Sequence, residues 1–457
     1  MKKFDLIVIG WGKGGKTLAG EAAVRGESVA IIERDPGMYG GTCVNVGCIP
    51  SKSLVVSAER GRWSRLERFE EKAQYYRDAI QKKRLLTAAL RRKMFHKLAD
   101  QPHVEIFNGI GSFSSAREVE ICGKNGTEKI SGRRIVIDTG SAPVIPPIEG
   151  ILDNPRVFTS REMLDMEDLP RRLLIVGGGY IGMEFASIYS GFGSKVTVIQ
   201  DGDEFLPRED RDIAAEIAKV LSGRGVDIAT GFRIDSIQNR DAAALLTGTG
   251  EDGAAREYSG DAVLIAAGRR PNTAELHPER AGIGLSARGG IVVDEYLRTG
   301  VPDIWAVGDV ADGLQFTYIS LDDARIVARQ LFEGRAEYST GQRKNIPYSV
   351  FLDPPYSRVG INEREARSGG LAVKIAKLPA SAVPKAQVLG ETAGLLKAVI
   401  DPATGRILGA MLFCAESHEL INQVKLAMEA GIPYSSLRDG VYTHPTMSEA
   451  FNDLFNI

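Results

Sequence analysis

Apolar runs and stretches of helical period succeed one another along the first two thirds of the chain. Residues 4–9 (FDLIVI) form a β-branched apolar run. The glycine-rich turn GWGKGG follows at 10–15, then a helical stretch, another glycine, and a second apolar run, VAIIE, at 29–33. The same succession returns at 172–201, in RLLIVGGGYIGMEFASIYSGFGSKVTVIQD. Each is the pattern of a βαβ unit. The two copies keep one register: Gly10, Gly12 and Gly15 match Gly177, Gly179 and Gly182, and Glu33 matches Gln200.

These positions have specific physical duties. The first glycine permits the sharp turn, and the second lets backbone N–H groups approach a pyrophosphate at a helix N-terminus. The third allows close packing of helix on strand. A carboxylate at the end of the second strand, Glu33, takes up ribose hydroxyls. One glycine-rich turn is weak evidence, but two in matched register, each inside a βαβ pattern, predict two nucleotide sites. Between the repeats, 57–100 reads as helical and basic, with Arg60, Arg62, Arg65, Arg68, Arg91, Arg92 and Lys93; a solvated surface is the expectation there. Further strands are predicted at 135–139, 261–267 and 304–307, and Pro143, Pro146 and Pro147 suggest a linker. After about 334 the pattern changes to short alternating strands, at 349–352 and 395–400, followed by helical segments. That is the pattern of an α+β domain.

Composition narrows the function classes. The 457 residues suggest roughly three domains at ~150 residues each. With 57 basic and 59 acidic residues the net charge is −2, so neither nucleic acid nor an anionic membrane is an expected partner. Glycine, at 51 residues, exceeds the usual ~7% and fits a chain of tight turns. Four cysteines exclude a disulfide scaffold and favour a reducing, cytoplasmic compartment. No apolar run approaches the ~18 residues of a membrane span, and the residues after Met1-Lys2-Lys3 are too short an apolar run for a signal peptide.

The stretch GGTCVNVGCIPSK at 40–52 carries candidate chemistry. Cys43 and Cys48 lie just upstream of a predicted helix, whose N-terminus would stabilise a thiolate. A redox-active pair, two buried free thiols, and part of a zinc site are all compatible with this spacing, although zinc would need further ligands that are not nearby. Cys122 and Cys414 have no partner in sequence and read as buried thiols. His96, His103, His277 and His418 carry no chemical context.

The whole chain resembles the class I pyridine nucleotide-disulfide oxidoreductases, the flavoproteins that include dihydrolipoamide dehydrogenase, glutathione reductase and mercuric reductase. The resemblance rests on the segment from Gly10 to Glu33, CVNVGC, GGGYIGMEFA at 177–186, IAAGRRPN at 265–272, WAVGDV at 305–310 and HPTMSE at 444–449. Within the group, KMFHKLAD, QFTYISLDDARIV and NIPYSVFLDPP look most like RclA-type flavoproteins, associated with reactive-chlorine and copper stress.

The resemblance implies an α/β fold with two Rossmann-like nucleotide-binding domains and an α+β C-terminal dimerisation domain. It places an FAD-binding domain at 1–149 and 271–334, an NAD(P)H-binding domain at 150–270 and the interface domain at 335–457. It implies that Cys43 attacks the acceptor and that Cys48 is the charge-transfer thiol against the flavin. Lys52 would lie beside the flavin ring, paired with Glu184, and Tyr180 would gate the nicotinamide pocket. His444 and Glu449 would form an acid–base dyad supplied to the partner subunit of a homodimer. FAD contacts are implied for Gly10, Gly12, Gly15, Glu33, Gly41, Thr42, Lys52, Gly111, Thr139, Gly140, Ser141, Asp309, Gln315, Phe316, Thr317 and Tyr318. NAD(P)H contacts are implied for Gly177, Gly179, Tyr180, Ile181, Gly182, Glu184, Gln200 and Gly268.

Two departures bear on function. Gln200, followed by Asp201, stands where NADH enzymes of the family carry Glu and NADPH enzymes have arginines nearby. The only close arginine is Arg208. The coenzyme is therefore NADH or NADPH, with Asp201 and Asp203 weighing toward NADH. Retention of His444 argues against dedicated mercury detoxification. The expected activity is electron transfer from NAD(P)H through flavin to Cys43–Cys48 and on to an acceptor. A thiophilic metal ion such as Cu(II), held transiently by the two cysteines, is the first candidate. A small disulfide such as lipoamide or glutathione disulfide is the alternative.

Overall fold

The computed structural model describes residues 1–64 and 66–457; Arg65, among the basic positions noted above, lies outside them. The chain divides into two compact units. One comprises Met1–Ser53, Asp78–Val144 and Gly268–Arg343, and the other Leu54–Arg77, Ile145–Ala267 and Lys344–Ile457.

The first unit is built on a mixed sheet. Strands Val104–Asn108, Val29–Glu33, Lys2–Ile9 and Gly126–Ile137 lie side by side in that order and run parallel, with Ile304–Ala306 parallel to Gly126–Ile137. Leu6 to Ile9 and Val29 to Ile32 are buried without alternation, as expected of strands covered on both faces. Helices Lys13–Val24 and Thr317–Glu333 cover one face through Leu18, Ala22, Ile326 and Val327. Ile7, Ile9, Phe113, Ile135 and Ile304 pack on the other. The long strand Gly126–Ile137 also continues into an antiparallel meander with Glu118–Gly123 and Ile110–Ser115. In that meander Val119 and Ile121 point inward, which puts Cys122 on the outer face. Cys122 is exposed, contrary to the buried thiol expected, whereas Cys414 is buried.

The second unit contains a parallel sheet ordered Val226–Ala229, Lys195–Ile199, Arg172–Val176, Ala262–Ile265, Val157–Thr159. An antiparallel ribbon, Arg233–Arg240, Ala243–Thr249 and Ala255–Gly260, accompanies it. Its C-terminal part is an antiparallel sheet, Tyr348–Val350, Tyr356–Gly360, Ile407–Phe413, Leu395–Ile400, Lys374–Pro379. Leu420, Ile421 and Val424 of helix Ser417–Glu429 pack on Leu396, Ala398 and Leu412 of that sheet. The architecture is thus α/β, with one mixed and one parallel sheet, each with a parallel part of nucleotide-binding type, and an α+β C-terminal portion.

The basic stretch folds into helices Cys48–Arg62 and Phe69–Ala99. Arg60, Arg68, Arg92 and Lys93 are exposed, as a solvated face requires. Arg62 and Arg91 instead hold the structure together, Arg62 with Asp353 at 2.8 Å and Arg91 with Asn45 Oδ1 at 2.7 Å. Among the described residues no helix is long and apolar enough to cross a membrane.

Candidate active site

In the first unit, the turn after Lys2–Ile9 is shaped around one buried acid. Gly10 has φ +101°, and a Cβ there would sit 2.2 Å from the Asp138 carbonyl. A Cβ on Gly12 would sit 2.4 Å from both Asp138 carboxylate oxygens, and Gly15 N–H donates to Asp138 Oδ2 at 2.6 Å. Burial pushes the Asp138 carboxyl up to about 8. Helix Lys13–Val24 starts at Gly12 with no acidic residue in its first turn, and its first-turn N–H groups at Gly14 and Gly15 donate to Ser320 Oγ at 3.0 Å and to Asp138 Oδ2. Glu33 closes the next strand nearly buried, its Oε1 accepting from Asp35 N at 3.1 Å, and desolvation raises its carboxyl.

The other positions assigned to FAD in this unit form small hydrogen-bonded groups. Thr139 Oγ1 donates to the Asn272 carbonyl at 2.7 Å, and Ser141 Oγ donates to Asp309 Oδ2 at 2.6 Å. Gly140 has φ +70° with open space around its Cβ direction. A Cβ on Gly111 would press on Ile9 and Ile32 at 3.2 Å. Gln315 Nε2 is buried with no protein acceptor among the described residues. A glycine turn into a helix, a strand-end acid and an unpaired buried amide together fit a bound dinucleotide.

The redox box abuts this turn. A Cβ on Gly41 would lie 2.8 Å from the Trp11 carbonyl, and Lys16 Nζ donates to the Gly40 carbonyl at 2.5 Å. Burial lowers the Lys16 ammonium to about 8, against the charge of Asp138. Cys43 belongs to the short helix Thr42–Asn45, and Cys48 opens helix Cys48–Arg62. Both are half-buried free thiols, hydrogen-bonded to each other. The Cys43 thiol, donating to Cys48 and desolvated, is pushed well up. Cys48 is lowered to about 6, first by that hydrogen bond, then by Thr317 Oγ1 at 3.3 Å and the charge of Lys52. Ionisation is thereby favoured at Cys48 over Cys43. Phe316 precedes helix Thr317–Glu333, and Tyr318 follows Thr317 partly exposed.

In the second unit, Gly177 turns the chain with its N–H on the Ile199 carbonyl at 2.8 Å. Helix Tyr180–Gly191 starts at Gly179, uncapped by a side chain. A Cβ on Gly179 would meet nothing, so the space beside that turn is free for a ligand. Ile181 and Gly182 follow in the first turn. Gly268, assigned to the same coenzyme, belongs to the first unit. Gln200 Nε2 donates to the Gly202 and Glu204 carbonyls at 2.9 and 2.8 Å, and Asp201, Asp203 and Glu204 are exposed around it. Glu184 accepts from Phe351 N–H at 3.0 Å; Lys52, its implied partner, belongs to the first unit. His444 Nδ1 meets Glu449 Oε1 at 2.6 Å, with Thr446 N–H on Glu449 Oε2 at 2.8 Å. That pairing holds the Glu449 carboxyl below the usual range, and the His444 ring is exposed.

Sequence reasoning missed Asp138, Lys16 and Glu209. Asp138, an acid closing the apolar run before Thr139, and Lys16, the second lysine of GWGKGGKT, were at least visible as anomalies. Glu209 carried no local signal. Among the described residues no cluster of three or more His, Cys, Asp or Glu side chains is placed to hold a metal ion.

Two family models cover almost all of the chain: pyridine nucleotide-disulphide oxidoreductase over residues 4–324, and the dimerisation domain of the same family over 346–455. The chain is 47% identical over 457 residues, all of both chains, to an Escherichia coli K12 protein named "Probable pyridine nucleotide-disulfide oxidoreductase RclA". It is 33% identical to a dihydrolipoyl dehydrogenase of Mycobacterium tuberculosis H37Rv over all of this chain and 98% of that one. It is 34% identical to a mercuric reductase of Streptomyces lividans over 98% and 94% of the two chains. Among solved structures, the Cu(II) complex of the HOCl-induced flavoprotein disulfide reductase RclA from Escherichia coli superposes with a TM-score of 0.93 at 47% identity, covering 100% of this chain and 99% of that one. On this evidence of sequence and shape, the chain belongs to the pyridine nucleotide-disulphide oxidoreductase family.

Proposed function

We propose that the protein is an FAD-dependent NADH oxidoreductase that reduces its own Cys43–Cys48 disulfide and passes the electrons to a thiophilic metal ion such as Cu(II). Family membership already makes it an oxidoreductase that uses a flavin and a pyridine nucleotide and carries a dimerisation domain. Gly10, Gly12, Gly15, Glu33, Ser141, Asp309 and Gln315 are the residues that would hold FAD, which when bound supplies two-electron exchange with the nicotinamide. Gly177, Gly179 and Gln200 would hold the coenzyme, with Tyr180 as the gate at its nicotinamide end. Asp201 and Asp203 disfavour a 2′-phosphate.

The observation that supports this reading is the geometry of the pair: two half-buried free thiols, Cys43 in the short helix Thr42–Asn45 and Cys48 opening the next helix, with Thr317 Oγ1 3.3 Å from the Cys48 sulfur. Two adjacent sulfur ligands prefer Cu(I), so binding at the pair pulls reduction forward. In balance, the dithiol and two Cu(II) give the disulfide, two Cu(I) and two protons. NADH and a proton restore the dithiol and leave NAD⁺. The copper and hypochlorous-acid context belongs to the Escherichia coli relative, and its extension to this chain is part of the proposal.

A second reading is favoured by one feature. The His444–Glu449 pair at 2.6 Å suits proton transfer to a leaving thiol, which a small disulfide needs and a metal ion does not. There Cys43 attacks one sulfur, the partner subunit's His444 takes and returns the proton, and the acceptor leaves as two thiols. The test compares wild type, Cys43→Ser, Cys48→Ser and His444→Ala in NADH-dependent Cu(II) reduction and in lipoamide reduction. Cu(II) reduction lost in both cysteine variants and kept in His444→Ala supports the metal reading. Cysteine variants as fast as wild type on Cu(II), with lipoamide turned over only by wild type, overturn it in favour of the disulfide.

A further inference from the structure

Glu209 is the most deeply buried carboxylate of the second unit, with no exposed surface. A buried carboxylate persists only where donors surround it. Four do. Tyr356 and Arg358, themselves nearly inaccessible, both bind Oε2, Arg358 through Nη1 at 3.3 Å. Arg358 is fixed in turn by Glu365 and by the Arg208 carbonyl at 3.1 Å. The other oxygen, Oε1, faces two half-buried tyrosines. Tyr348 donates to it at 2.6 Å and Tyr180 at 2.9 Å. The Tyr180 hydroxyl also stands 3.0 Å from that of Tyr348, and the two rings lie 5.3 Å apart.

The carboxylate thus has a fixed side and a presented side. We propose that Glu209 and Tyr348 are positioning residues that seat Tyr180 at the nicotinamide end of the coenzyme site. The inference rests on the reading of Tyr180 as the gate. Tyr180 is the first residue of its helix, directly after the open turn at Gly179, which sets its backbone beside the ligand space. Its single proton is shared between two acceptors at 2.9 and 3.0 Å, a looser hold than the 2.6 Å bond of Tyr348. When Tyr180 swings away, Oε1 keeps Tyr348 and Oε2 keeps both its donors. The gate can open without leaving a buried charge unpaired. Burial and the Glu209 charge raise the Tyr180 hydroxyl far above its ordinary range, so it remains a donor. Glu209 also closes the loop that begins at Gln200, so ribose position and gate seat share one segment.

The test uses the FAD-loaded enzyme and stopped-flow mixing with NADH under anaerobic conditions, with Tyr348→Phe, Glu209→Gln, Tyr180→Phe, Tyr180→Ala and the double variant Tyr180→Phe/Tyr348→Phe. Loss of one hydrogen bond in the seat is expected to slow flavin reduction at saturating NADH about fivefold in Tyr348→Phe. Oxidation of prereduced enzyme by lipoamide or Cu(II) stays near wild type, and the double variant is no slower than Tyr180→Phe alone. Flavin reduction at the wild-type rate in Tyr348→Phe, or additive losses in the double variant, overturns the proposal, even where the melting temperature falls. Tyr348→Phe keeps the test decisive if Glu209→Gln does not fold. Should Tyr180→Phe and Tyr180→Ala both reduce at the wild-type rate, the gate reading itself fails. An effect of Tyr180 without one of Tyr348 and Glu209 removes only the seat.

Discussion

Thr317 Oγ1 stands 3.3 Å from Cys48 Sγ, so the thiol that opens one helix meets the hydroxyl that opens another. Cys48 thus stands at the N-terminus of its own helix and meets the Thr317 hydroxyl, and both favour its ionised form.

Thr317→Val keeps the shape and removes the hydrogen bond. Cys48, lowered to about 6 in the wild type, should then ionise roughly one pH unit higher, the worth of one hydrogen bond to a charged sulfur. Alkylation of Cys48 in reduced protein, followed by peptide mass mapping from pH 5 to 9, reads the midpoint. An unmoved midpoint would show that Thr317 does not hold the thiolate.

Asp138 gives a stability prediction. Its carboxyl is raised to about 8 from an ordinary 3.8, so the folded chain keeps a proton that the unfolded chain loses. The associated stability is fully present below about 3.8 and falls as pH rises toward about 8. Asp138→Asn still accepts from Gly15 N–H and has no proton to lose. The variant should match wild type near pH 4 and melt higher at pH 8, as followed by calorimetry. A constant offset between the two across this range would contradict the titration.

The glycine turns, the βαβ repeats and the change of pattern after about 334 were legible because each is a local demand: a positive φ, a close approach, a period. What was not legible depended on distant partners. Asp138 matters because it lies under Gly12 and Gly15, more than a hundred residues earlier in the chain. Glu209 acquires its role only when Tyr348, Tyr356 and Arg358 arrive from the C-terminal sheet. Cys122 is different, since its surroundings were readable. In EVEICG the period of two puts Val119 and Ile121 on one face and Cys122 on the other, and treating the cysteine in isolation lost that signal.

Coenzyme choice follows from the loop after Gln200. The Gln200 amide nitrogen is committed to the Gly202 and Glu204 carbonyls, and three exposed acids surround it. Arg211 and Arg364 both face Glu204, at 3.7 and 3.6 Å. NADH should exceed NADPH in kcat/KM by roughly tenfold or more, about 1.4 kcal/mol of repulsion. Asp201→Asn/Asp203→Asn should narrow that ratio by raising the NADPH value. Steady-state kinetics with both coenzymes decides, and equal use by wild type would refute the charge argument.

The last prediction uses Glu449 to separate the two acceptors. Its carboxylate fixes the His444 ring through Nδ1 at 2.6 Å and is itself held by Thr446 N–H, leaving the other ring nitrogen to exchange protons. The His444 contact keeps the Glu449 carboxyl below its ordinary 4.5, so the pairing persists above that pH and is lost as pH falls through the lowered value. Glu449→Gln keeps the shape but weakens the hold on the ring. If a small disulfide is the acceptor, turnover at pH 7 should fall by on the order of a hundredfold, the scale of a misplaced general acid. If a metal ion is the acceptor, no leaving thiol needs a proton, and Cu(II) reduction should change less than about threefold. Both assays on one preparation give the ratio directly. A hundredfold loss on Cu(II) would require proton transfer in that reaction too, and would count against electron transfer straight from the thiolates.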